Sequence, residues 1–121
     1  MTWKVEYTDE FEDWWESDLD DEEQDEIAAV VGTLEVMGPG LPFPYCTGIK
    51  GSRHSHMREL RIQIGGHPYR VLYAFDPTRT AILLLGGKKT GNKRWYSENV
   101  SKADDLYDVH LQALKNEGLI K

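Results

Sequence analysis

The chain has 121 residues, 40% apolar and 29% charged, with a formal charge of −7, the profile of a single globular domain with a modest core. No apolar run reaches the length of a membrane span, the N-terminus MTWKVEYTDE carries no basic-then-apolar leader, and Cys46 is the only cysteine. Those features exclude a membrane span, a secretory leader, a disulfide framework and a four-cysteine zinc site, and they fit a reducing cytoplasm.

Residues 3–7 alternate as Trp3, Val5 and Tyr7, which predicts a strand. Thr8 or Asp9 can cap a following helix whose first turn is acidic, with Phe11, Trp14 and Trp15 at helical spacing. The stretch Ser17-Asp18-Leu19-Asp20 breaks that helix or caps the next one. A second helix then carries Ile27, Val30, Val31 and Leu34 as one apolar stripe and ends at Gly38-Pro39. The acidic run from Asp18 to Glu26 reads as a solvated helix face. Residues 39–56, with Pro39, Pro42, Pro44, Gly48 and Gly51, read as a loop, and Cys46 within it has no evident activating partner.

Residues 57–75, MRELRIQIGGHPYRVLYAF, read as a hairpin turning at Gly65-Gly66. A two-residue turn sets Ile64 opposite His67 and Arg61 opposite Arg70. Like charges directly across a strand pair destabilise it. Either Glu59, on the same face, neutralises one of them, or an anion is expected there. Asp76-Pro77 suits a type I turn, and Ala81 to Leu85 is apolar enough for a strand covered on both faces. Carrying the pairing through this second turn sets Tyr69 opposite Gly86. The loop GGKKTGNKR at 86–94 leads to a helix over about 94–115 with Tyr96, Val100, Ala103, Tyr107, His110 and Leu114 on its apolar stripe. The expected fold is α+β in the order β-α-α-β-β-β-α: one domain over 1–121, with a small, mainly antiparallel, twisted sheet and helices packed on one face.

Charge is segregated along the chain. Residues 1–49 hold fourteen acids and one base, and residues 50–102 hold eleven bases and three acids. The net acidity argues against a simple nucleic-acid binder, yet the middle segment can build an anion-binding face. Its candidates are Arg58, Arg61 and Arg70 on the hairpin, Lys88 and Lys89 in the glycine-rich loop, and Lys93 and Arg94 at the helix start. Arginine forks and lysine point charges both suit phosphate, and Tyr69, Tyr73, Trp95 and Tyr96 are aromatics that could stack on bases or fill the core. His54 and His56 are candidates for proton transfer or for plain loop positions. Too few nearby ligands accompany them to expect a metal. His67 and His110 read as structural. No P-loop, dinucleotide fingerprint or nucleophile elbow is present, and no cofactor is expected.

Glu59-Leu60-Arg61, the run Tyr69-Arg70-Val71-Leu72-Tyr73, the apolar strand followed by Gly87-Lys88-Lys89-Thr90, Gly51-Ser52 before the hairpin and the helix pair ending in Gly38-Pro39 together resemble the HigB-like branch of the RelE/ParE toxin superfamily. The resemblance covers nearly the whole chain. It implies a RelE-like fold and a type II toxin that cleaves mRNA, usually in the ribosomal decoding site, with no metal. It further implies a HigA-like, helix-turn-helix antitoxin as partner. By position, Arg61 and Arg70 match the family's sheet arginines, and Lys88 or Lys89 its basic loop. The chemistry expected is attack of an RNA 2′-hydroxyl on the adjacent phosphate, with the arginines stabilising the phosphorane and His54, His56 or Tyr96 moving protons. Arg58, Lys93, Arg94 and Tyr69 are the further RNA contacts expected. A ParE-like, gyrase-binding inhibitor and an inactive relic of the fold are the alternatives. Toxins of this kind are usually basic, so the basic face should point away from the acidic N-terminal helices.

Overall fold

The computed structural model describes residues 2–121. Its elements are β1 (Val5–Tyr7), α1 (Asp9–Asp18), α2 (Asp21–Met37), a 3-10 turn (Gly38–Gly40), β2 (Cys46–Gly48), β3 (Arg58–Ile64), β4 (His67–Phe75), β5 (Ala81–Lys88) and α3 (Trp95–Asn116). The strands lie in the order β1-β5-β4-β3-β2. All neighbours are antiparallel except β1 with β5. The α+β class and the mainly antiparallel sheet are as expected. The loop over 39–56 is not wholly irregular, because Cys46–Gly48 adds an edge strand to β3. Three residues between prolines and glycines carry too little pattern to announce a strand.

Local chemistry sets the element boundaries. The Thr8 hydroxyl accepts from the Phe11 amide at 3.1 Å and donates to the Leu84 carbonyl at 2.6 Å, so the cap of α1 also fastens it to β5. Asp20 and Glu23 form a reciprocal capping box at α2, with bonds of 2.8 and 2.9 Å. Gly65 and Gly66 have φ of 57° and 81°, the left-handed pair that a two-residue hairpin turn requires. That turn gives the expected register, with Arg61 facing Arg70.

The second hairpin corrects the expected register. Phe75 faces Ala81, and the ladder slips between Leu72 and Tyr73, leaving Leu84 as the extra residue. Tyr69 therefore faces Lys88, not Gly86, and Arg70 faces Gly87. A strand apolar on every residue has no alternation to reveal such a slip.

The helices do not share one face. Phe11 of α1 with Ile27 and Leu34 of α2 packs on Leu60, Ile62, Val71, Tyr73 and Leu83. Val100, Ala103 and Tyr107 of α3 pack on Leu72, Ala74, Ile82 and Leu84 of the opposite face. The sheet is thus the middle of three layers, as the continuous apolar run of β5 requires. The acidic helices α1 and α2 cover one face. The face that carries Arg61 and Arg70 is the other one, shared with α3.

Candidate active site

Arg61 and Arg70 stand opposite each other on β3 and β4, with a carboxylate between them. Glu59 Oε1 accepts from Arg61 Nη1 at 3.0 Å and from the Thr47 hydroxyl at 3.0 Å, and it lies 3.6 Å from Arg70 Nε. Residues 59 and 61 share a face by strand alternation, and Arg70 meets them through the register. Glu59 is 2% exposed and Arg70 is 5% exposed, while Arg61 reaches outward. The repulsion inherent in the arginine pair is therefore answered within the fold, and one positive charge remains in excess. Oε2 of Glu59 is buried without a hydrogen-bond partner, so this carboxylate is held by its partners on one side only.

Tyr96, in the first turn of α3, joins this cluster. Its hydroxyl accepts from Arg70 Nε at 3.4 Å. Burial, together with the neighbouring Glu59 carboxylate, pushes the Tyr96 phenol above its ordinary value. Lys89 sets its ammonium over the Tyr96 ring, 4.8 Å from the centroid, and its backbone amide donates to Pro68 O at 2.8 Å. Gly87 makes the approach of α3 possible, because a side chain there would overlap the indole of Trp95. The buried Trp95 thus anchors the helix start beside Arg70, which in turn donates from Nη1 to Tyr69 O at 2.9 Å. The result is a cationic patch in which the half-buried Arg61, Lys89 and Tyr96 side chains surround the buried Arg70 guanidinium. It has the donors for a phosphate and a hydroxyl that can carry a proton.

Several residues singled out from the sequence lie elsewhere. Arg58 points to the α1/α2 face, where its Nε reaches Cys46 Sγ at 3.0 Å, and Cys46 also meets the Tyr73 hydroxyl at 3.0 Å. Cys46 is buried in this contact rather than idle in a loop. Tyr69 is 4% exposed, on the same face, with its hydroxyl donated to Glu23, and Tyr73 and Trp95 are likewise core residues. Lys88 alternates away from Lys89 and lies 5.9 Å from the Tyr69 ring centroid. His54 is bonded to Asp108 at 2.8 Å, and His56 to the Tyr107 hydroxyl at 3.1 Å. Tyr107 lies eleven residues along α3 from Tyr96, about 16 Å at the helical rise, so neither histidine belongs to the arginine cluster. His67 bonds Thr90 and His110 bonds Asp76, both structural contacts. Lys93 and Arg94 are exposed at the entrance to α3, beside the cluster. Among the described residues no three His, Cys, Asp or Glu side chains converge as metal ligands, and no helix is long and apolar enough to cross a membrane.

Two members of the site were missed. Glu59 was weighed as a counter-ion but not as a site residue, although its i, i+2 spacing to Arg61 signals a shared face. Phe43 came from a stretch read as featureless loop, yet its ring lies 5.6 Å from the Arg61 guanidinium.

The family model for phage-derived protein Gp49-like matches residues 13–108. A Mycobacterium tuberculosis protein named "Putative toxin HigB2" is 40% identical over 99 residues, which are 80% of this chain and 49% of that protein. A second protein of that organism, named "Putative toxin HigB3", is 47% identical over 85 residues, 67% of this chain and 73% of that one. The chain thus spans about half the length of the first relative and most of the second.

Proposed function

The chain belongs to the Gp49-like family, with HigB-type relatives, and from that premise we propose that it is the toxin of a type II toxin–antitoxin pair and cleaves mRNA on the ribosome. The observation that carries the reading is the Arg61–Glu59–Arg70 cluster flanked by Tyr96 and Lys89, on the face of the sheet away from the acidic helices. In this reading the scissile phosphate sits against the arginine pair. The 2′-hydroxyl attacks phosphorus, the bond to the 5′-oxygen breaks, and a 2′,3′-cyclic phosphate forms. The 2′-hydroxyl proton passes to solvent water, while the Tyr96 phenol donates one to the leaving 5′-oxygen and is reprotonated from solvent. Arg61 and Arg70 offset the charge that builds on the phosphorane, which is the largest single contribution such a site can make. Glu59, itself held by the Thr47 hydroxyl, fixes the guanidiniums before substrate arrives, so little reorganisation is needed at the moment of reaction.

Tyr96 is the proton carrier of the cluster. A tyrosine phenol is protonated at neutral pH, and the bond with Arg70 sets this one beside the arginine pair. Lys89 holds the RNA backbone, with Lys93 and Arg94 extending the track along the start of α3. No metal takes part in this chemistry. The partner is a HigA-like, helix-turn-helix antitoxin, and the protein acts in the cytoplasm with mRNA and the ribosome. The test is to incubate the purified protein with programmed ribosomes, at the magnesium concentration that keeps them assembled, and to analyse the fragment ends. Fragments ending in a 2′,3′-cyclic phosphate support the reading. Intact mRNA on programmed ribosomes would remove it.

A further inference from the structure

The aromatics that the sequence offered for stacking on RNA are largely used up by the core. Tyr69, Tyr73 and Trp95 are buried, and Tyr96 is half-buried beneath Lys89. The exposed aromatics near the arginine pair come from the segment before β2. Phe43 is 70% exposed and Tyr45 is 47% exposed. The segment is tied to the site, because Arg61 N donates to Tyr45 O at 2.9 Å and the Tyr45 amide donates to Pro42 O at 3.1 Å. Phe43 is flanked by Pro42 and Pro44, whose fixed φ limits the conformations the segment can adopt. The Arg61 guanidinium lies over the Phe43 ring, 5.6 Å from its centroid.

Single exposed apolar side chains are ordinary on protein surfaces. Phe43 differs in its neighbours. One of its faces is turned to a phosphate-binding cation, and most of the ring is open to solvent. The cluster is bracketed at both ends by the same unit, a cation over an aromatic ring: Arg61 over Phe43 and Lys89 over Tyr96. Single-stranded RNA is bound by that combination, with cations following the backbone and flat rings receiving unstacked bases. A protein partner for Phe43 would have to bury Arg61 and its excess positive charge as well, which favours the polyanion.

We propose that Phe43 is a base-stacking platform, which receives the base of a nucleotide adjoining the scissile phosphate while Arg61 holds that phosphate. Stacking of this kind has little sequence preference, because every base offers a π-face. Phe43 therefore contributes affinity and positions the RNA, and it takes no part in proton transfer. The inference rests on the ribonuclease reading, and it extends the RNA track from Lys93 and Arg94 at one end of the cluster to the 43–45 segment at the other.

The test uses the full chain, a fluorescein-labelled single-stranded RNA oligonucleotide of mixed sequence, and cleavage of mRNA on programmed ribosomes. Phe43→Ala and Phe43→Leu should each weaken oligonucleotide binding roughly tenfold or more. Phe43→Trp should bind as well as the parent, because it restores the flat ring. In cleavage, the Ala and Leu variants should raise KM much more than they lower kcat. Unfolding temperatures should match the parent, since the ring is mostly outside the core. Lys89→Ala is the reference, a cation of the same site that stacks no base. If Lys89→Ala loses affinity while Phe43→Ala does not, the platform is overturned and the ribonuclease reading stands. If neither loses affinity, the RNA-binding reading of the whole cluster falls. If Phe43→Ala binds RNA normally but escapes neutralisation by the antitoxin, the segment is a protein-docking surface and the proposal is wrong.

Discussion

Replacing Arg70 by leucine separates the two forces that meet at the arginine pair. Like charges directly opposite on β3 and β4 repel, so their removal alone would return up to about 1 kcal/mol. Arg70 also compensates a buried carboxylate, however, and taking one partner from a buried ion pair costs about 3–5 kcal/mol. Glu59 would keep two of its contacts, from Arg61 Nη1 and the Thr47 hydroxyl, each at 3.0 Å. Arg70 is the more distant cation at 3.6 Å, which places the loss at the lower end of that range. A net destabilisation of about 2 kcal/mol is expected, a fall in Tm of roughly 6–10 °C for a chain of this size. Thermal and urea unfolding of the parent, Arg70→Leu, Glu59→Gln and the double variant would measure it. The double variant should lose less than the sum of the two single changes, because each single change leaves the other's charge uncompensated. An Arg70→Leu protein as stable as the parent, or more stable, would refute the argument: repulsion would then outweigh compensation, and the arginine pair would be held under strain for an external anion.

Three further outcomes follow from the geometry. Lys89→Ala should lower the salt slope of ribosome co-sedimentation by about one unit or slightly less, whereas Lys88→Ala, on the opposite face, should leave it unchanged; equal effects would place both lysines on the RNA. Gly87→Ala should cost about 1–3 kcal/mol by overpacking against Trp95, read as a lower urea midpoint and altered tryptophan fluorescence, and an unchanged midpoint would mean that α3 does not need this close approach. Burial alone would raise the Asp76 carboxyl, but hydrogen bonds from His110, Thr78 and Thr80 hold it below its ordinary 3.8. A lowered folded-state pKa contributes stability that is complete above the ordinary value of 3.8 and is lost as pH falls from there through the folded value. Asp76→Asn should therefore flatten the acid limb of urea midpoint against pH, and a limb as steep as the parent's would assign acid sensitivity to other carboxylates.

Much of the fold was legible because local chemistry decided it. Thr8 and Asp20 cap where short polar residues precede apolar periodicity, and Gly65-Gly66 admits few turns, which fixed the Arg61–Arg70 register. One feature was hidden. The bulge at Leu84 sits in a strand apolar at every position, so no alternation betrays the slip. That same uniform strand signalled two covered faces, which is incompatible with helices on one side and explains why α3 lies opposite α1 and α2. The site was legible in part: period two placed Glu59 and Arg61 together, and it separates Lys88 from Lys89 and Arg58 from Arg61 once the faces are known. What it could not supply was distance along α3, which removes His54 from the cluster, or the path of the proline-rich segment that brings Phe43 to Arg61.

The central claim is that the arginine cluster cuts mRNA. The direct measurement is primer extension on cellular mRNA, minutes after inducing the parent or Arg61→Ala without an antitoxin, with plasmid supercoiling followed in the same cultures. Arg61 is partly exposed, so its loss should spare the fold. The expected result is discrete new 5′ ends with the parent, their loss with Arg61→Ala, and unchanged supercoiling in both. Growth arrest with intact mRNA and altered supercoiling would contradict the account and point instead to a gyrase-binding inhibitor.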